Sequence, residues 1–139
     1  MKNKNKILKV MYALNILLAG IPGFLIVFFP SFGEQYVLWD GQDHAVMTIL
    51  GSIWLAIAIV SVFGIFQPHR FVAIFLIQLF YKSIWLLSFV LPQIASGKSL
   101  PPSAGIIIAI FLLLIVEVIL FLRPADFELS LNGGNTDSV

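Results

Sequence analysis

Apolar residues in this chain do not alternate with polar ones. They gather into four long runs separated by short polar breaks, covering 7–29, 45–66, 71–91 and 104–122. Each run is about 19 to 23 residues, and a helix needs roughly 20 to cross a hydrocarbon core. Their apolar density leaves too few polar positions for the alternating strands of a membrane barrel. Backbone groups in lipid must be paired within the protein, so the pattern predicts four transmembrane helices. The expectation is an all-α integral membrane four-helix bundle of antiparallel, up-down topology. A single domain spans 1–131, and the polar tail 132–139 is expected to be disordered.

The breaks place the turns. Pro30, Ser31, Phe32 and Gly33 end the first helix, and Asp43 stands where a side chain caps the second. The connection Gln67-Pro68-His69-Arg70 is short enough to make helices two and three direct neighbours. Pro101 and Pro102 precede the fourth helix. Tyr36, Trp39 and Phe32 suit the interfacial aromatic belt. Lys2, Lys4, Lys6 and Lys9 resemble the charged start of a signal peptide. The apolar stretch continues too far for one, however, and Leu17 stands where cleavage near Ala19 would need a small residue. A retained helix is the expectation.

Basic residues beside the spans set the orientation. With the N-terminus inside, the inner segments hold Lys2, Lys4, Lys6, Lys9, Arg70 and Arg123. The outer segments hold Lys98, and the first outer loop carries Glu34, Asp40 and Asp43. Both termini are therefore expected on the cytoplasmic side of the plasma membrane, the chain being a multi-pass membrane protein.

Composition narrows the chemistry. Charged residues make up 11% of the chain and apolar residues 60%. Soluble domains carry about 25% charged residues, so a water-covered surface is excluded. The absence of cysteine removes disulfides, thiolate metal sites and thiol nucleophiles together. A net charge of +1 offers no basic stripe for nucleic acid.

In lipid, small and polar residues mark helix contacts, because lipid tails are as apolar as leucine. Tyr12, Asn15, Ala19 and Gly23 form one stripe on the first helix, and Pro22 beside it predicts a kink. Gly51, Ala58 and Ser61 share one side of the second helix, with Ser52 and Ala56 on another. Phe71, Phe75, Gln78, Lys82, Trp85 and Phe89 share one face of the third. The fourth helix reads as almost wholly aliphatic apart from Glu117. These stripes are compatible with close packing alone, or with a pocket lined by Asn15, Gln78, Lys82, Trp85 and Glu117.

Lys82 and Glu117 are the strongest chemical signal. A charge near the bilayer centre costs about 2.5 to 3.5 kcal/mol on insertion scales, and intramembrane ionisable groups usually face a partner or a cavity. Lys82 sits within about one residue of the middle of its span, and Glu117 about four residues past the middle of its own, so their Cα depths differ by roughly 8 Å. A long lysine and an extended glutamate can bridge that distance. A structural ion pair and a binding site for a polar headgroup, a quinone carbonyl or a transported proton are both open at this point.

Other chemistries find no support. His44 and His69 lie at opposite ends of the second helix, about 37 Å apart, and cannot share one metal or haem. Ser52, Ser61, Ser83 and Ser88 have no histidine within a turn or two and are expected to hydrogen-bond between helices. No phosphate loop or dinucleotide fingerprint is present.

Size, four spans and a long first outer loop resemble the DoxX-like group of small bacterial membrane proteins. The stretch His44-Ala45-Val46-Met47-Thr48-Ile49-Leu50-Gly51-Ser52-Ile53-Trp54-Leu55-Ala56 carries part of that resemblance. In the group, the second helix opens with a charged residue followed by a glycine and a small-residue face; His44 stands here where arginine is expected. The resemblance implies quinone-associated or redox-accessory roles and transfers no catalytic residue.

Three functions are therefore expected in turn. The first is a non-catalytic subunit, assembly partner or lipid-binding module, with the bilayer, a membrane protein or a second copy as partner. The second is an accessory subunit that binds a quinone or another lipophile. The third is a small proton-coupled transporter acting as an oligomer.

Overall fold

The structure of the protein, a computed structural model, describes residues 2–32, 43–100 and 102–122. Expectations for Glu34, Tyr36, Trp39, Asp40, Pro101, Arg123 and the tail 132–139 lie outside the described residues. All regular structure among those described is helical. Four helices are long and apolar enough to cross a membrane: α1 (Lys4–Phe28), α2 (His44–Phe66), α3 (Ala73–Ala95) and α4 (Ala104–Phe121). Large apolar side chains on each of them point outward, as with Phe66 at 77% and Leu120 at 69% exposure. Lipid, not water, suits such a surface.

Prolines end the first two helices. Phe29 precedes Pro30 and leaves the helical region at φ −133°, and Gln67 precedes Pro68 and does the same at φ −129°. The proline ring crowds the preceding residue out of the α conformation. At the start of α2, the Asp43 carboxylate accepts from the Ala45 backbone N–H at 2.7 Å, which realises the expected cap.

The third helix departs from its expected bounds at both ends. Phe71 and Val72 lie in a tight turn, whose carbonyls accept from Ile74 and Phe75 at 3.0 Å. At its far end the helix passes through Pro92 and continues to Ala95 instead of stopping at Leu91. It closes at Gly97, whose φ of +68° favours a residue without Cβ. There Gly97 donates to the Ile94 carbonyl and Lys98 to that of Gln93, so the last carbonyls are satisfied.

A π-helical turn over Leu86–Val90 explains why Pro92 does not end α3. The wider turn shifts the hydrogen-bond ladder one residue ahead of the proline, with the Leu91 N–H reaching back to the Leu86 carbonyl. The first helix uses the same device. A π turn over Ile16–Gly20 precedes Pro22, so the irregularity expected at that proline lies in the turn before it.

Glycines bring α1 and α2 together. A methyl group on Gly23 would lie 2.7 Å from the Leu55 backbone nitrogen and 2.8 Å from the Gly51 carbonyl oxygen. Gly64 faces the Tyr12 ring directly, and the Tyr12 hydroxyl donates to the Pro68 carbonyl at 2.7 Å. Such contacts let backbones approach where lipid offers no hydrophobic drive. By contrast, α4 makes its closest backbone approach to α3.

Two apolar clusters result. Leu8, Met11, Tyr12, Val72, Phe75 and Val118 form one, and Ala19, Ile26, Met47, Trp54, Ile57 and Phe111 form the other. Between them along the helices lie buried Asn15, Ser61, Gln78 and Lys82.

Candidate functional site

This polar layer arises from helical spacing. Gln78 and Lys82 are one turn apart on α3 and are both 2% exposed; Asn15 on α1 is 1% exposed. Lys82 Nζ donates to Gln78 Oε1 at 2.6 Å. The same ammonium stands 5.4 Å from the centroid of the Phe111 ring and 5.6 Å from that of Tyr81, within cation–π range. Asn15 Nδ2 and Gln78 Nε2 are buried without a hydrogen-bond partner.

Glu117 is half-buried on α4 and borders the same narrow crevice as Asn15, Gln78 and Lys82. The crevice has no room for water. Lys82 and Glu117 lie within electrostatic reach, yet among the described residues the lysine's direct partner is Gln78. Four of the five pocket residues expected from sequence thus converge. The fifth, Trp85, sits one turn beyond Lys82 and packs edge-on against Phe111 at 5.3 Å and flat against Phe89 at 5.6 Å.

On its other side Lys82 borders a cavity of about 180 Å³ to which all four helices contribute. Ala19 and Pro22 of α1 and Trp54 of α2 form one wall. Tyr81 and Lys82 of α3 face Phe111 and the isoleucines of α4. Ile106 lines the cavity while 66% exposed, so the space reaches the outer surface between α1 and α4. Trp54 Nε1 is buried and makes no hydrogen bond, although the Tyr81 hydroxyl is near enough to interact with it.

A second, open groove follows the same seam beyond Glu117, which it shares with Lys6, Val10 and Phe121.

Trp54, Tyr81 and Phe111 escaped the sequence reading as lining residues. Phe111 carried a signal, because an aromatic side chain interrupts an otherwise aliphatic run. Three aromatic rings surround it here: Trp54 at 6.3 Å, Tyr81 at 5.8 Å and Trp85 at 5.3 Å. The serines require a correction. Ser52 and Ser61 donate to the Thr48 and Ile57 carbonyls of their own helix, both at 2.8 Å, not across to a neighbour. A hydroxyl in an apolar setting is satisfied most simply by the carbonyl one turn back. The histidines stay apart: His69 Nε2 meets Asn5 Oδ1 at 2.6 Å, while His44 opens α2. Among the described residues no three of His, Cys, Asp or Glu come together.

No protein-family model matches the chain, and no curated protein or solved structure does either. The resemblance to the DoxX-like group therefore stands on the pattern of spans and the quoted second-helix stretch alone.

Proposed function

We propose that this protein is a non-catalytic membrane module that binds a lipophilic molecule by its hydrogen-bond-accepting head. The observation that carries this reading is Lys82, 2% exposed, at the wall of an otherwise apolar cavity. Its charged donor is the Lys82 ammonium, and the rest of the lining is aliphatic or aromatic. An apolar cavity of about 150 Å³ is large enough to hold a benzene ring. A head of ring size therefore fits the space, and its tail leaves through the seam between α1 and α4.

The proposal places the chain in the bacterial plasma membrane as one antiparallel, up-down bundle, with both termini cytoplasmic. Support comes from the distribution of basic residues. Lys4, Lys6 and Lys9 precede or open α1, and the Asn5–His69 hydrogen bond brings the Arg70 turn to the same end. Lys98 follows α3. A quinone is one head of suitable size and acceptor character, which agrees with what the DoxX-like resemblance implies.

Native mass spectrometry of the protein extracted with its surrounding lipid tests the reading. The expected result is one retained lipophile per chain, lost or weakened in Lys82→Met while the variant stays folded. Protein that strips bare of lipid, and takes up no lipophile offered to it, overturns the proposal.

A further inference from the structure

We infer that the cavity selects a single-chain amphiphile with an anionic head, a long-chain carboxylate, because Lys82 meets no anion at contact among the described residues. This inference rests on the lipophile-binding reading above and specifies its ligand class.

A lysine placed near mid-membrane is usually accompanied by a carboxylate or by water. Lys82 has no carboxylate at contact among the described residues. Its hydrogen-bond partner is the neutral Gln78 amide oxygen, and the crevice that leads to Glu117 is too narrow to admit water. The ammonium carries three protons, and Gln78 accepts one of them. The remaining donor capacity borders the cavity, where the other lining groups are apolar or aromatic and none is a carboxylate. The Phe111 and Tyr81 rings soften the lysine's environment through their faces, but they do not neutralise its charge.

A ligand carboxylate fills this gap on three counts. It supplies the opposite charge. Its two oxygens can accept the remaining protons of Lys82, which lines this space and gives only one of its donors to Gln78. Its head is small enough for about 180 Å³, with the alkyl chain passing Ile106 into the bilayer. A diacyl phospholipid has a far bulkier head region and two chains to place, so a free fatty acid fits better than a membrane phosphate.

The test uses the full chain in detergent, with native mass spectrometry reporting apparent affinity. The probes are hexadecanoic acid, hexadecanol, methyl hexadecanoate and dipalmitoyl phosphatidylglycerol. A charge-assisted hydrogen bond is roughly twice as strong as a neutral one, so wild type is expected to favour the acid over the alcohol and ester by about tenfold or more. Lys82→Met is expected to bind acid, alcohol and ester alike. Alcohol binding by that variant, and an unchanged helical circular dichroism spectrum, show that it is folded. Glu117→Gln, which removes the carboxylate that shares the lysine's crevice, is expected to keep or increase the preference for the acid.

Equal binding of acid and alcohol by wild type overturns the inference and leaves lipophile binding standing. So does a preference for the acid that appears only in Glu117→Gln, which would make Glu117 the lysine's true counter-ion. Tighter binding of phosphatidylglycerol than of the acid also overturns it. If wild type binds none of the four, the inference is overturned; the underlying reading fails with it when the protein as extracted also retains no lipophile.

Discussion

Lys82 depends on Gln78 more than on any other side chain, and the two can be separated by substitution. Gln78→Leu leaves a buried ammonium without its hydrogen-bond acceptor, and the loss of a hydrogen bond to a charged group costs about 1.5 to 3 kcal/mol. Lys82→Met removes the charge itself and fills similar volume, so its stability is expected to equal or exceed that of wild type. Thermal unfolding in detergent, followed by circular dichroism, should therefore rank Gln78→Leu below wild type and Lys82→Met at or above it. The reverse order would show that Lys82 takes its main support from elsewhere. The sequence made Asn15, Gln78 and Lys82 legible because polar groups in a long apolar run have to face inward. It did not settle whether Lys82 meets Glu117, since a difference of roughly 8 Å in depth permits contact without requiring it. Phe111 was legible only as an aromatic interruption of an aliphatic run; its role appears when α2 and α3 place three rings around it.

At the scale of helices, glycine positions divide into those with room and those without. Gly23→Ala drives a methyl group against the α2 backbone at 2.7 to 2.8 Å, which a rotamer change cannot relieve. Overpacking of this kind costs about 1 to 3 kcal/mol. Gly105 on α4 has nothing within 4 Å of its added Cβ, so Gly105→Ala is expected to stabilise by up to about 1 kcal/mol through helix propensity. Unfolding of both variants in mixed micelles checks the contrast, and equal effects would contradict the packing described for α1 and α2. Helix existence was readable from apolar run length alone. Helix three's far boundary was not, because Pro92 signals an end unless the preceding turn has already widened. Nothing in Leu86, Leu87, Ser88, Phe89 and Val90 announces a π turn, yet both prolines inside helices follow one. The repetition of that device in α1 and α3 is a likeness of backbone geometry that residue identities conceal.

For the whole molecule, orientation is the property that the basic residues beside the spans address. The chain has no cysteine, so single-cysteine labelling needs no background removal. Ser96→Cys, in the connection after α3, is expected to react with a membrane-impermeant maleimide added to intact cells. Gln67→Cys, in the exposed turn after α2, is expected to react only after the cells are permeabilised. The opposite pattern would invert the proposed topology without disturbing the helix packing.

The seam between α1 and α4 also determines how a ligand would be counted. A site that opens sideways into lipid samples the ligand as a fraction of the lipids around it, not as moles per litre of water. At fixed total ligand and protein, doubling the amount of bilayer should then nearly halve occupancy at low saturation, although the aqueous volume has not changed. Affinities for such a ligand would therefore be properties of a two-dimensional solution, and values obtained at different lipid-to-protein ratios would become comparable only after conversion to mole fraction.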